Sequence, residues 1–149
     1  MPTFEHVRSI VIAAPATAIH AIVDDFHAWP KWSPWEELDP NLTRTYDGAA
    51  KGVGARYGWV GKKSGEGSMG ITESSPERVA IDLVFVKPFK ANNKVVFRFV
   101  PEGNGTKVSW SMSGTRNLLL AIMGKLAFDG MIVRDFDRGL AKLKLIVES

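Results

Sequence analysis

The sequence predicts an α+β domain, one antiparallel sheet with a long helix packed on its apolar face. Three observations lead there. From "NLTRTYDG" onward, short β-rich runs alternate with turn signals. Within those runs the apolar residues recur at every second position. The C-terminal segment then switches period, with Ile132, Phe136, Leu140, Leu143 and Val147 recurring at intervals of four and three.

The elements follow in order. "FEHVRSIVI", Phe4 to Ile12, reads as a first strand. Pro15 suits the first turn of a helix, and Ala18, Ile19, Ile22 and Val23 give that helix an apolar stripe. Pro30 and Pro34 stop any continuation, so short helical turns and bends follow. Strands are expected at "ARYGWV", "GSMGITES", "RVAIDLVFV", "NKVVFRFV" and "TKVSWSM". One face of the sheet would carry Tyr57, Trp59, Met69, Ile71, Val79, Ile81, Leu83, Phe85, Phe97, Phe99, Val108, Trp110 and Met112. Asp82, Arg98, Lys107, Ser109 and Ser111 would take the solvated face. "PEGNGT" marks a hairpin. A final helix of about 20 residues would be roughly 30 Å long, enough to lie across a curved sheet.

A length of 149 residues with 45% hydrophobic content suits one domain, 1–149, with a sizeable core. Nineteen basic against sixteen acidic residues leave a net charge of +3. The excess is spread out, and nucleic-acid binding wants a focused stripe. The chain has no cysteine, which removes thiolate chemistry and suits a cytoplasmic protein. "MPTFEHVRSIVIAAPA" lacks the pattern of a signal peptide, and the run "LLLAIM" is too short to span a bilayer.

The segment "DDFHAWPKWSPWEELD" holds Trp29, Trp32 and Trp35 between two prolines. Each indole buries roughly 150–250 Å², worth about 4–6 kcal/mol at 25 cal/mol per Å². Together they must cover apolar surface.

The order of motifs resembles the START/Bet v 1-like (SRPBCC) superfamily, and within it the polyketide cyclase/dehydrase and lipid-transport group. "IAAPATAIHAIVDDFHAWPKWSPW" is similar to that group's first strand, helix and tryptophan-rich bend. "YDGAAKGVGARYGWVG" resembles its glycine-rich paired strands, "GTKVSWSMSG" its last strand, and "DFDRGLAKLK" the middle of its C-terminal helix. The resemblance implies the helix-grip fold, a bent antiparallel sheet of about seven strands wrapped around a long C-terminal helix. Two short helices follow its first strand, and an apolar cavity lies between sheet and helix. On that resemblance the tryptophan bend would sit at one end of the grip, with Trp29 and Trp32 as core and Trp35 either as core or as a ligand contact at the cavity mouth. It does not imply one activity, because the superfamily holds carriers, receptors, co-chaperones and a few enzymes.

No cofactor or metal site is expected. Gly52, Gly54 and Gly58 miss the dinucleotide-binding spacing and lead into a strand. Eight glycines between Gly48 and Gly70 instead suit turns and bulges. His6, His20 and His27 show no convergent ligand spacing, and spacing alone gives no nucleophile–base pair. Asp135, at the edge of the helix stripe, is either a boundary residue paired with a base or a carboxylate inside the cavity. Tyr57 is either core or a hydroxyl for a ligand. Asp24 and Asp25 are expected to end the first helix in solvent, and Glu36 and Glu37 to begin a turn. The run "NLLLAIMGKLAF", interrupted by Gly124, reads as a buried helix start or as an apolar flap.

A ligand-sized void of roughly 300 Å³ would cost about 7 kcal/mol by the scaling of core cavities, so one should persist only if it is filled in use. The leading expectation is a carrier of a small hydrophobic molecule, with no nucleic acid and no stable membrane insertion. Trp35, Tyr57, Trp59, Met69, Ile71, Leu83, Phe85, Phe97, Trp110, Met131 and Asp135 are the candidate lining. The alternative is a cyclase or dehydratase using Asp135 or Tyr57. A third reading is a co-chaperone-like interaction module. Monomer and homodimer remain open.

Overall fold

A computed structural model describes residues 3–34, 39, 41–62, 65–87, 90–115 and 118–149; for residues 3, 115 and 118–129 it describes the backbone only. Strand β1 spans Thr3–Ile12 and helix α1 Ala16–Val23. A single 3₁₀ turn, Trp29–Lys31, follows. Six strands come next: β2 Thr43–Gly48, β3 Ala55–Gly61, β4 Gly65–Ser75, β5 Arg78–Lys87, β6 Ala91–Glu102 and β7 Gly105–Thr115. Helix α2 spans Leu118–Glu148.

The seven strands form one antiparallel sheet in the order β1-β7-β6-β5-β4-β3-β2. β2 to β7 make a meander. The chain leaves β1 at one edge and reaches β2 at the other by way of α1 and the tryptophan segment, so that segment crosses the end of the sheet. The sheet bends where β4 slips register against β5, between Glu66 and Gly67 and between Ile71 and Glu73. Such bulges increase local twist and curvature. The hairpin at "PEGNGT" closes on Gly103–Asn104, and Gly103 has φ +57°, the sign a type II′ turn needs at its first central position.

The tryptophan segment supplies the 3₁₀ turn Trp29–Lys31, with Pro30 in its first turn, and residues 35–38 lie outside the described residues. The final helix is longer than expected. Helix α2 has 31 residues and runs through Gly124 and Gly130. A helical glycine costs only about 1 kcal/mol relative to alanine, too little by itself to end a helix. The run "NLLLAIMGKLAF", read as a buried helix start or a flap, has a helical backbone from Leu118 to Phe128, and its side chains lie outside the described residues.

The core begins at the α1 end. Ile19 and Val23 of α1 are buried, whereas Ala18 is exposed. Trp110 stacks on Phe136 of α2 with ring centroids 4.1 Å apart and planes within 8°. Phe97 lies 5.0 Å from Trp110 on another side, and Trp32 meets it edge-on at 5.4 Å. Trp29 packs on Trp32 at 4.7 Å and donates its indole N–H to the Val23 carbonyl at 2.9 Å. A Cβ on Gly139 would stand 2.8 Å from the Trp110 ring and 3.0 Å from Pro34, so only glycine lets helix and indole meet so closely. Trp29 and Trp32 are therefore core. Trp35 lies outside the described residues.

Helix α2 runs beside β1. Arg8 forms a two-pronged bond to Asp137, and Lys144 donates to the Val11 carbonyl. Glu148 accepts from the Ala13 N–H at 2.7 Å, a bond that, with the Lys144 ammonium, holds its carboxyl below the ordinary 4.5. A depressed folded-state value means that the contribution is present above the unfolded value and lost as pH falls through the folded one. Glu148→Gln should thus flatten the acid limb of a melting-temperature profile below about pH 4.5 and change nothing at pH 7 beyond a constant offset. An unchanged acid limb would show that this carboxylate is not linked to folding.

Candidate functional site

The register of the sheet sorts the inward-facing side chains into rows that cross it. Val79, Phe97 and Trp110 are direct partners, and all three are 0% exposed. The next row is Ile71, Ile81, Val95 and Met112, at 0–3%. The row after it is Tyr57, Met69, Leu83 and Asn93, ending on Gly114, and its side chains are 5–9% exposed. Beyond that come Trp59, at 9%, and Phe85, which is half-buried. Accessibility therefore rises row by row from the α1 end toward the end where β7 gives way to α2.

Local sequence explains the last row. Trp59 and Phe85 meet edge-on at 5.8 Å. Between their strands sits Gly67, where a Cβ would fall 2.5 Å from the Trp59 ring. The indole thus lies flat over a strand position that carries no side chain. Tyr57 stacks toward Trp59 at 6.3 Å and touches Phe26 and Tyr46.

Among the expected lining residues, the structure brings together Tyr57, Trp59, Met69, Ile71, Leu83 and Phe85 on one inner surface. Phe97 and Trp110 stand apart. Both are enclosed by other rings at the packed end, where helix and sheet leave no free surface. Met131 is 43% exposed, because a residue one position before Ile132 on the inward stripe is turned about 100° away from it. Asp135 is 6% exposed, one turn before Gly139 on the flank of α2 that faces Pro34. Arg138 reaches the Pro34 carbonyl from the same helix.

Spacing did not anticipate a second cluster. His20 Nε2 lies 2.7 Å from Ser74 Oγ, and Asp24 Oδ2 is 3.5 Å from both. Ser74 is 54 residues from His20, so no local pattern signals the contact. Asp24 closes α1 as expected but is buried rather than solvated, since the loop before β3 folds over it and the Gly52 N–H bonds the Asp24 carbonyl at 2.9 Å. The carboxylate approaches the same imidazole nitrogen as the serine, not the opposite one, so it cannot orient the ring as a catalytic triad does. The cluster ties α1 to the end of β4. His27 stacks on Tyr46 at 4.1 Å, and no group of metal-ligating side chains occurs among the described residues.

On the outer face of the sheet, a shallow depression of about 260 Å³ is bordered by Arg56, Ser68, Gly70, Thr72, Asp82 and Val84. Ala55, Met69 and Ile71 also border it.

A seven-stranded antiparallel sheet gripping one long C-terminal helix is the helix-grip architecture of Bet v 1-like proteins. The chain belongs to the polyketide cyclase / dehydrase and lipid transport family, whose pattern matches residues 3–148. Similar solved structures include protein CV1439 from Chromobacterium violaceum, 17% identical, covering 100% of this chain and 99% of that one with a TM-score of 0.69. Ara h 8.0201 is 11% identical over 98% of each chain, with a TM-score of 0.67. The Aha1 dimer from Colwellia psychrerythraea is 18% identical over 97% of this chain and 94% of that one, at 0.65. At such identities the likeness is one of fold. Compared with curated proteins, the sequence finds no match. No helix among the described residues is long and apolar enough to cross a membrane.

Proposed function

We propose that the protein binds a small hydrophobic molecule between the sheet and α2, at the end away from α1. The observation behind this reading is the row-by-row rise in accessibility, from complete burial at Trp110 to the half-buried Phe85 on the same inner face. A solid core would be closed throughout. Here one end is filled by aromatic stacking, and the other presents Trp59, Met69, Leu83 and Phe85 as an apolar surface. Apolar burial would supply affinity and a few polar groups orientation. Family membership supports the same reading.

A second reading, an enzyme of the cyclase or dehydratase type on the same class of molecule, has one observation in its favour. Asp135 is a carboxylate buried on the flank of α2, where it can serve as a general base if substrate reaches it.

The test is native mass spectrometry of freshly purified protein, followed by organic extraction and identification of any released compound. A stoichiometric apolar adduct is the expected result. Conversion of that compound on incubation, lost in Asp135→Asn, would select the enzyme. A clean mass, with no thermal shift across a panel of lipids and aromatics, would overturn the binding reading and favour an interaction module.

A further inference from the structure

Asn93 sets a carboxamide beside the apolar side chains of the third row. Its strand reads Asn93, Val95, Phe97, Phe99 along the inward face. It stands between Leu83 of β5 and Gly114 of β7. The residue is 9% exposed, and its Oδ1 is buried without a hydrogen-bond partner. A buried polar atom left unmatched is costly, and native interiors match nearly all of them.

Space is also reserved for it. A Cβ on Gly114 would fall 2.3 Å from Asn93 Oδ1. The glycine therefore leaves the carboxamide room on the inner face, where any larger residue would push it aside. A leucine at position 93 would have the same branching and number of side-chain heavy atoms with no unmatched polar atom. An asparagine seated by a glycine, on the most accessible full row of an apolar surface, is arranged for something that arrives later.

We propose that Asn93 is the polar anchor of the binding site, and that the ligand is an apolar molecule carrying a hydroxyl group, which donates its hydrogen to Asn93 Oδ1. The apolar body then lies along Leu83, Phe85 and Trp59, the neighbours of Asn93 toward the accessible end. This inference rests on the binding reading above. It adds a selectivity that a plain apolar surface lacks, because a site built around a polar group rejects an analogue that cannot satisfy it.

The test compares 2-naphthol with 2-methylnaphthalene, which have nearly the same shape and differ in the hydroxyl. Affinities are measured by calorimetric titration against wild-type protein, Asn93→Leu and Gly114→Ala. The quantity read is the affinity ratio of the two probes, which cancels changes common to both. The ratio should fall by roughly fivefold or more in Asn93→Leu, the size expected for one net hydrogen bond. It should also fall in Gly114→Ala, which keeps the carboxamide but displaces it. In the absence of probe, Asn93→Leu should melt higher than wild type, by about 2–4 °C. An unchanged ratio with both probes bound overturns the anchor and leaves the binding reading standing. A lower melting temperature or a failure to fold in Asn93→Leu shows a structural role for the amide and overturns the anchor too. Wild-type protein that binds neither probe counts against the binding reading, and the anchor falls with it.

Discussion

Trp110→Ala should cost about 3–5 kcal/mol of folding stability, the usual range for removing a fully buried large aromatic side chain. Against a total of about 5–15 kcal/mol for a domain, that leaves a protein close to its unfolding threshold. The reason is the number of elements that meet on one ring. Trp110 of β7 stacks on Phe136 of α2, lies against Phe97 of β6, and receives Trp32 and Trp29 from the segment that crosses the sheet. Each such pair adds about 0.5–1.5 kcal/mol beyond its buried area. The site cannot collapse to refill the space, because Gly139 already brings the helix backbone onto the indole. Urea unfolding followed by far-ultraviolet circular dichroism measures the loss. Trp110→Phe keeps a ring for Phe136 to stack on and should lose less than half as much. A loss under 1 kcal/mol for the alanine variant would show that the aromatic stack is not what fixes α2 to the sheet.

That stack was legible in the sequence only in part. Period-2 alternation put Phe97 and Trp110 on the inward face, and the spacing of Ile132, Phe136 and Leu140 put Phe136 on the inward side of the helix. Both readings hold because they follow from strand and helix geometry alone. Which inward residues touch one another depends on strand register, and register is set by pairings between distant segments. Phe97 and Trp110 therefore read as lining as readily as Tyr57 and Leu83 did, although Tyr57 and Leu83 lie two rows further toward the accessible end. The His20–Ser74 contact was hidden for the same reason. Asn93 was different. Its parity with Val95, Phe97 and Phe99 places a polar residue on the apolar face, and that signal was in the sequence. Met131 shows the converse, since one position along a helix is a rotation of about 100°, enough to carry a neighbour of Ile132 off the inward stripe.

Phe85→Ala should weaken binding of 2-naphthol by at least about tenfold, a change of 1.4 kcal/mol, while reducing folding stability by no more than about 1–2 kcal/mol. The two effects separate because Phe85 is half-buried, meeting Trp59 edge-on at the accessible end of the inner face. Truncating a half-exposed ring removes less area from water and leaves no closed cavity, so the folding cost falls below that of a core aromatic. In a complex the same ring would lose its remaining water contact against the ligand, so its truncation is felt mainly in affinity. Met131→Ala is the matching control. Met131 was expected to line the site, yet it is 43% exposed on the flank of α2 turned from the sheet, and its truncation should shift affinity by less than about twofold. Titration calorimetry with the two variants and wild type decides between two surfaces. Loss confined to Phe85→Ala places the ligand on the inner face at the accessible end. Loss confined to Met131→Ala would move the ligand to the outside of the helix and remove the inner-face reading altogether. Equal small effects in both would mean that accessibility at Phe85 reflects a loosely closed sheet end and not a used surface.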